Sequence, residues 1–321
     1  MINKKILVTG STGFVGQRFF QIAHNLKNCD CSALLDRGRI NTEKDISETT
    51  HEVVLSNFDD PKELTKIFSR FDIIVHLIGD FNASCSSVAK LKMNRVNADL
   101  ACTFAKLAKE AGIKNFIYIS SFAAYLCEDK NKNRLCDCYG ESKLSGENGL
   151  KTLSDDLFSV LIIRPTALFG PNHTGSIHQL AKVMKSGKYI HFSPSNVSAN
   201  FYFIDDFIYL LFNCIKKDMG QYSIINASYG LYPIQNFIEK IKESVRGRRH
   251  IYLHHYFMLP ISIIFSMITY LFSKPMPFSY RKYKVMTSPV FLLKNLDYKE
   301  PYGMNEGIKV TIEFFKKNDM L

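Results

Sequence analysis

In the first half of the chain, short and nearly continuous apolar runs alternate with longer segments whose apolar positions recur every three or four residues. Ile6–Val8, Ala33–Leu35, Val53–Leu55, Ile73–Leu77, Phe116–Ile119 and Val160–Ile163 are the runs. They lack the in–out alternation of a half-exposed strand, so they predict strands covered on both faces of a parallel sheet. Val15–Leu26 and Asn97–Ala111 have helix length and lie between such runs. Strands joined by crossover helices make βαβ units, which predicts an α/β fold with a doubly wound parallel sheet.

Beyond Arg164–Pro165 the pattern loosens and is punctuated by Gly170–Pro171, Gly175, Gly187 and Pro194. Residues 1–170 are expected to form the sheet domain, with a segment near 201–226 returning to it, and residues 171–321 a smaller lobe. Tyr222–Ile225 reads as a strand and Ile234–Val245 as a helix. Residues 256–272 carry no charge, which puts this segment at the lower edge of the roughly 17–25 residues a bilayer span requires. Pro260, Ser262, Ser266 and Thr269 interrupt it. A buried helix of the second lobe is the first expectation, a peripheral membrane contact the second, and a true span the least favoured.

The 321 residues are 46% hydrophobic, enough for a large core, and the net charge of +11 would attract polyanions. The basic residues read as scattered and form no recognition module, so nucleic acid is not an expected partner. Eight cysteines contain no C-x-x-C, and the pairs Cys29/Cys31 and Cys136/Cys138 lack further ligands at zinc spacing. No metal is expected, nor a calcium site in the polar insert 128–134. The thiols are expected to be reduced, in a cytoplasmic protein whose first apolar run is too short for a signal peptide.

Between the first strand and first helix stands Thr9-Gly10-Ser11-Thr12-Gly13-Phe14-Val15-Gly16. Glycines there let the backbone turn tightly and approach a pyrophosphate, to which the helix N-terminus presents unpaired N–H groups. The second strand ends at Asp36, where an acid takes adenosine ribose hydroxyls. The combination points to a Rossmann-type sheet binding a dinucleotide. Asp36 favours NAD, while the adjacent Arg37 keeps NADP open by offering a partner to a 2′-phosphate.

Tyr139-x-x-x-Lys143 puts a phenol and an ammonium one turn apart on a helix face. A neighbouring cation, joined by an oxidised nicotinamide, would lower the tyrosine pKa and make it a general base. Two further Tyr-x-x-x-Lys pairs, Tyr270/Lys274 and Tyr280/Lys284, lie beyond the sheet, whereas Tyr139 follows the fifth strand. That strand ends in Ser120-Ser121, at the carboxyl edge where α/β sheets bind ligands.

With TGSTGFVG at the start, VHLIG at 75–79, VN at 96–97, YISSFAAY at 118–125, YGESK at 139–143, IRPTALFGP at 163–171 and FYFIDD at 201–206, the chain resembles the extended short-chain dehydrogenase/reductases, in their nucleotide-sugar epimerase and dehydratase branch. The resemblance implies Tyr139 as acid/base, Lys143 as anchor of the nicotinamide ribose and Ser121 as partner of the reacting sugar oxygen. It implies cofactor contacts at Gly10, Thr12, Gly13, Phe14, Val15 and Gly16, then Asp36, Arg37, Asn57, Phe58, Leu77, Gly79, Asn97, Lys143 and Pro165. Ser121 also reads as a plain strand-end cap, and Asn97 as a plain polar helix start.

Family dehydratases follow the Ser/Thr with an Asp and a Glu that eliminate water. Phe122 and Ala123 stand here and cannot move a proton, so dehydration is disfavoured. An NAD-dependent nucleotide-sugar 4-epimerase and an NAD(P)H-dependent 4-keto-sugar reductase of polysaccharide pathways remain, the first preferred. Retention of Ser121, Tyr139 and Lys143 together argues against a catalytically silent sensor. A nucleotide-diphosphate sugar is expected between the lobes near Thr166, its phosphates met by Lys185, Arg281 or Lys282, and a homodimer is the expected assembly. His173, His178 and His191 read as surface or packing residues.

Overall fold

The computed structural model describes residues 2–26, 29–38, 53–82, 85–128, 135–187, 189–193, 197–217, 220–246, 251–272, 280, 283–284 and 294–321. They form two compact units, the first made of Met1–Pro165, Ile204–Ala227 and Asn295–Glu300.

In chain order the first unit contains β1 (Ile2–Thr9), α1 (Phe14–Asn25), β2 (Cys29–Asp36), β3 (Val53–Ser56), α2 (Pro61–Phe68), β4 (Ile73–His76), α3 (Ser87–Asn94), a π turn (Arg95–Asp99), α4 (Leu100–Glu110), β5 (Asn115–Ile119), α5 (Phe122–Glu128), α6 (Cys138–Leu153) and β6 (Ser159–Pro165). The sheet has seven parallel strands in the order Tyr222–Ala227, β6, β5, β4, β1, β2, β3. The chain runs outward from β1 through β2 and β3, then restarts on β1's other side at β4. The carboxyl ends of β1 and β4 therefore flank the topological switch point, the place where such sheets bind ligands.

The runs Ile6–Val8, Ala33–Leu35, Phe116–Ile119 and Val160–Ile163 are buried throughout, as their continuous apolar character required. Leu7, Leu34, Ile74, Phe116 and Ile162 share one cluster with Leu64 and Phe68 of α2 and with Ala101, Phe104, Ala105 and Ala108 of α4. The α4 residues recur at helical spacing, and small alanines let the helix lie close to the sheet. Asp60 begins α2 by accepting from the Lys62 and Glu63 amides, with Pro61 at the first helical position. Arg18 of α1 donates to both carboxylate oxygens of Asp205, each at 2.6 Å, and so ties α1 to the helix Ile204–Lys216, where Phe19 stacks on Phe212.

The second unit comprises Thr166–Phe203, Ser228–Lys294 and Pro301–Leu321. Ala167–Phe169 pairs in parallel with Phe201–Phe203, and Ile190–Ser193 with Ile251–His254. The helices Ile234–Val245 and Gly303–Lys317 pack together. The chain changes unit between Pro165 and Thr166, a few residues before the expected 170. Its return spans Ile204–Ala227, and a second return at Asn295–Glu300 was not expected. That short segment is held because the Asn295 side chain accepts from the Asn226 amide and donates to the Ile224 carbonyl at the free edge of the sheet, each at 2.8 Å.

Two expectations are overturned. The segment 256–272 does form a helix, Met258–Phe272, but it is not a buried one: Ile261, Ile263, Ile264, Met267 and Leu271 are exposed, Leu259, Phe265 and Ile268 are half-buried, and among its described side chains Ser262 alone is fully buried. Among the described residues no helix is long and apolar enough to cross a membrane. The thiols are not all reduced either: Cys85 is bonded to Cys138 and Cys127 to Cys136, with Cα separations of 5.8 and 4.7 Å. No sequence spacing announces these pairs, because they arise where the segment after β4 and the loop after α5 both reach the start of α6.

Candidate active site

The turn after β1 is shaped for a phosphate. Gly10 has a φ of +75°, and a Cβ there would lie 2.8 Å from the Ile78 amide nitrogen at the end of β4. A Cβ on Gly16 would collide with the Gly10 carbonyl and the Ser11 backbone, so both positions exclude a side chain. Gly13 is the N-cap of α1; no side chain caps the helix, and no acid stands in its first turn. The positive dipole end of the helix would stabilise an anion there. Thr12 and Gly13 are exposed, and Phe14 and Val15 half-buried. Leu77 continues β4 by donating to the Thr9 carbonyl at 3.2 Å.

At the end of β2, Asp36 accepts from the Gly38 amide at 3.1 Å. Arg37 is engaged by Glu63 at 2.7 Å, and the second oxygen of Glu63 accepts from the Asn57 amide at 3.3 Å. Asn57 is exposed, its side-chain oxygen accepting from Asp59, while Phe58 packs edge-on against Phe104. Glu63 thus engages one terminal nitrogen of Arg37, the cation that a 2′-phosphate would need.

The three residues expected to do chemistry come together at the carboxyl ends of β4 and β5. Asp137 starts α6 by accepting from the Gly140 amide at 2.7 Å, which sets Tyr139 and Lys143 on the helix's first turns. Tyr139 is half-buried beneath Phe81, whose ring meets it edge-on at 5.2 Å. Its hydroxyl is hydrogen-bonded to Ser121, and Ser121 Oγ also accepts from the Ala123 amide at 3.1 Å. Ser121 therefore both starts α5 and partners Tyr139. Burial pushes the Tyr139 hydroxyl up to about 12; the Ser121 hydrogen bond opposes this and Asp137 adds to it.

Lys143, one turn further along the same helix, is buried. Its Nζ donates to the Ile119 carbonyl at 2.8 Å and lies 4.7 Å from the centre of the Tyr118 ring. Burial drives its pKa down to about 7, with Glu147 opposing. A Cβ on Gly79 would be 3.2 Å from that ammonium and 3.4 Å from Asn97 Oδ1, so glycine keeps open the approach to Lys143. Asn97 is fully buried in the π turn, accepting from the Asp80 amide at 2.9 Å and donating to the Asp80 carbonyl and to Ser142 Oγ. Its backbone carbonyl accepts from the Tyr118 hydroxyl at 2.6 Å. A helix start would leave these groups at the surface, and here they join β4, β5 and α6.

Several residues of this region escaped the sequence reading. Glu147 is buried and takes hydrogen bonds from Ser120 and from Nε and a terminal nitrogen of Arg164, whose other terminal nitrogen donates to Glu128 at 2.7 Å. Burial disfavours the Arg164 cation, but Glu147 and Glu128 hold its pKa above the usual value. The spacing Lys143–Glu147 was a legible i, i+4 pair, but the pairing of Glu147 with Arg164 needs the fold. His76 is likewise buried, 3.1 Å from Thr9 Oγ1, and burial aided by Lys143 lowers it to about 3. It is a neutral packing residue stacked on Phe116 and Tyr118.

The remaining expected residues fall elsewhere. Pro165 ends β6, Thr166 is buried in the second unit, and Lys185 donates to the Leu321 carbonyl there at 3.3 Å. His178 is packed against Phe315, and its Nε2 lies 2.9 Å from the Met320 carbonyl. Arg281, Lys282 and most of the insert 128–134 lie outside the described residues. Cys138 immediately precedes Tyr139, so its bond to Cys85 ties the segment bearing Phe81 to the start of α6.

Residues 6–227 match the model of the NAD dependent epimerase/dehydratase family. The chain is 24% identical over 250 residues to the N-acetyl-alpha-D-glucosaminyl-diphospho-ditrans,octacis-undecaprenol 4-epimerase of Escherichia coli O157:H7, covering 74% of this chain and 68% of that one. It is 26% identical over 251 residues to the UDP-glucose 4-epimerase of Vibrio cholerae, covering 71% of each. Its fold superimposes on the UDP-glucose 4-epimerase of Thermotoga maritima with a TM-score of 0.69 at 16% identity, covering 98% of this chain and 99% of that one. With a switch-point sheet, an uncapped glycine turn and a Ser121–Tyr139–Lys143 cluster, the chain belongs to the NAD-dependent epimerase/dehydratase family and is an NAD(P)-dependent enzyme.

Proposed function

We propose that this protein is an NAD-dependent nucleotide-sugar 4-epimerase. The observation that carries the reading is the cluster of Ser121, Tyr139 and Lys143 at the sheet's carboxyl edge, with Phe122 and Ala123 where elimination would require proton carriers. Both curated relatives named above are 4-epimerases, which supports it.

The residues fit a dinucleotide. The N-terminus of α1 would take the pyrophosphate, Asp36 the adenosine ribose and Lys143 the nicotinamide ribose, with Gly79 leaving room beside Lys143. The pairing of Arg37 with Glu63 favours NAD over NADP. Bound NAD supplies a reversible hydride acceptor. Ser121 would hold the sugar C4 oxygen. Tyr139 takes the C4 hydroxyl proton as that carbon becomes a carbonyl, and returns it when hydrogen is restored to the opposite face. Protons and electrons balance, so no net oxidant is consumed. At a Tyr139 pKa near 12 the phenol is protonated at neutral pH. Base action therefore requires the extra positive charge of a bound oxidised nicotinamide, with Ser121 assisting.

The test is to denature freshly purified protein, identify released dinucleotide by mass spectrometry and count it per chain. Near-stoichiometric NAD is the expected result, since an epimerase regenerates its cofactor in each cycle. An empty protein that binds added NADH or NADPH would replace this reading with the 4-keto-sugar reductase, which uses the same three residues.

A further inference from the structure

The helix Met258–Phe272 is built inside out for a water-soluble lobe. On a helical projection, Pro260, Ile261, Ile263, Ile264, Met267 and Leu271 fall within one arc of about 160° and all six are exposed, while Ile268 in the same arc is half-buried. The hydroxyl residues Ser262, Ser266 and Thr269 lie on the other side, where they donate to the carbonyls of Leu259, Ser262 and Phe265 of the same helix. A surface helix normally turns such hydroxyls to water and such aliphatic side chains to the core. Tyr256 and Phe257, both about 65% exposed, extend the apolar surface at the helix's start.

The sequence flanking this helix carries charge of one sign. From Ser244 to Leu296 the chain carries eight lysines and arginines and no aspartate or glutamate, so most of its net +11 resides there and is not scattered. Within this stretch, Arg246 and Lys294 are exposed and Lys284 is half-buried. A protein partner would have to combine an apolar groove with an acidic rim. A second copy of this chain would bring the same positive charge against it. An anionic lipid surface satisfies both, taking the aliphatic arc into the acyl boundary and the cations at the headgroups. At 15 residues and about 22 Å, the helix is too short to cross a hydrocarbon core of about 30 Å, so it would lie in the plane of the interface.

We propose that the helix Met258–Phe272 docks this protein peripherally onto anionic membranes, through the face bearing Ile261, Ile263, Ile264, Met267 and Leu271. The inference does not depend on the epimerase reading, and its test needs no turnover. The full chain is sedimented with phosphatidylcholine vesicles, with and without about one-third phosphatidylglycerol. Preferential binding to the anionic vesicles is expected, weakened by high salt because cations at exposed sites are screened. In Ile264→Glu/Met267→Glu both new side chains point outward, and partitioning should fall at least about tenfold. Because the chain contains no tryptophan, Met267→Trp adds a single reporter, whose emission should shift to the blue with anionic vesicles. No binding to anionic vesicles, or undiminished binding by the double variant, would overturn the proposal. So would an unshifted reporter, or a dimer in light scattering that the double variant dissociates while neither protein binds vesicles.

Discussion

Lys143→Met in the NAD-free protein should stabilise the fold at low pH and lose that effect as pH rises. The ammonium is buried against Gly79, the Tyr118 ring and the Ile119 carbonyl, and its pKa is lowered from 10.5 to about 7. In the unfolded chain the lysine keeps its ordinary pKa, so between pH 7 and 10.5 the unfolded state binds the extra proton and stability climbs with pH. The cost of the buried cation is complete below pH 7 and absent above 10.5. A depression of this size corresponds to about 5 kcal/mol. Methionine fills a similar volume but forfeits the hydrogen bond to Ile119, worth about 1 kcal/mol. The variant should then exceed the parent by roughly 3–4 kcal/mol at pH 6, an increase in Tm of about 10 °C. Melting both proteins at pH 6, 7.5 and 9 after removing bound dinucleotide checks this. A difference that does not change with pH, or a parent more stable at pH 6, would show that the ammonium is not held at a desolvation cost.

Tyr139→Phe should abolish turnover on any accepted sugar nucleotide while leaving NAD content and Tm nearly unchanged; retention of most activity would remove Tyr139 from the chemistry. Asp36→Ala should weaken NAD more than NADP in titrations followed by fluorescence, and an equal loss would take Asp36 out of the ribose site. Glu147→Gln leaves the buried Arg164 with its half-exposed partner Glu128 alone, which should cost about 3 kcal/mol because a buried cation loses its main counter-charge. Denaturant titration reads that loss, and a midpoint equal to the parent's would mean the pair contributes nothing.

Local chemistry was enough to make much of this protein legible. Strands such as Ile6–Val8 and Val160–Ile163 had to be interior because a continuous apolar run has no polar face to offer water. The turn from Gly10 to Gly16 could be read because backbone conformation and the exclusion of Cβ are properties of the residues themselves. Tyr139 and Lys143 shared a helix face by spacing alone. What spacing could not supply were the partners met across the fold. Glu147 finds Arg164, Asn97 finds Asp80 and Ser142, and Cys85 finds Cys138 only after β4, β5 and α6 converge. Tyr139 and Lys143 also took pKa directions that adjacency does not foretell, because desolvation depends on what covers a group. The orientation of Met258–Phe272 was settled in the same way. An apolar helix pattern says which residues share a face, but only packing decides whether that face meets the core or is left outside.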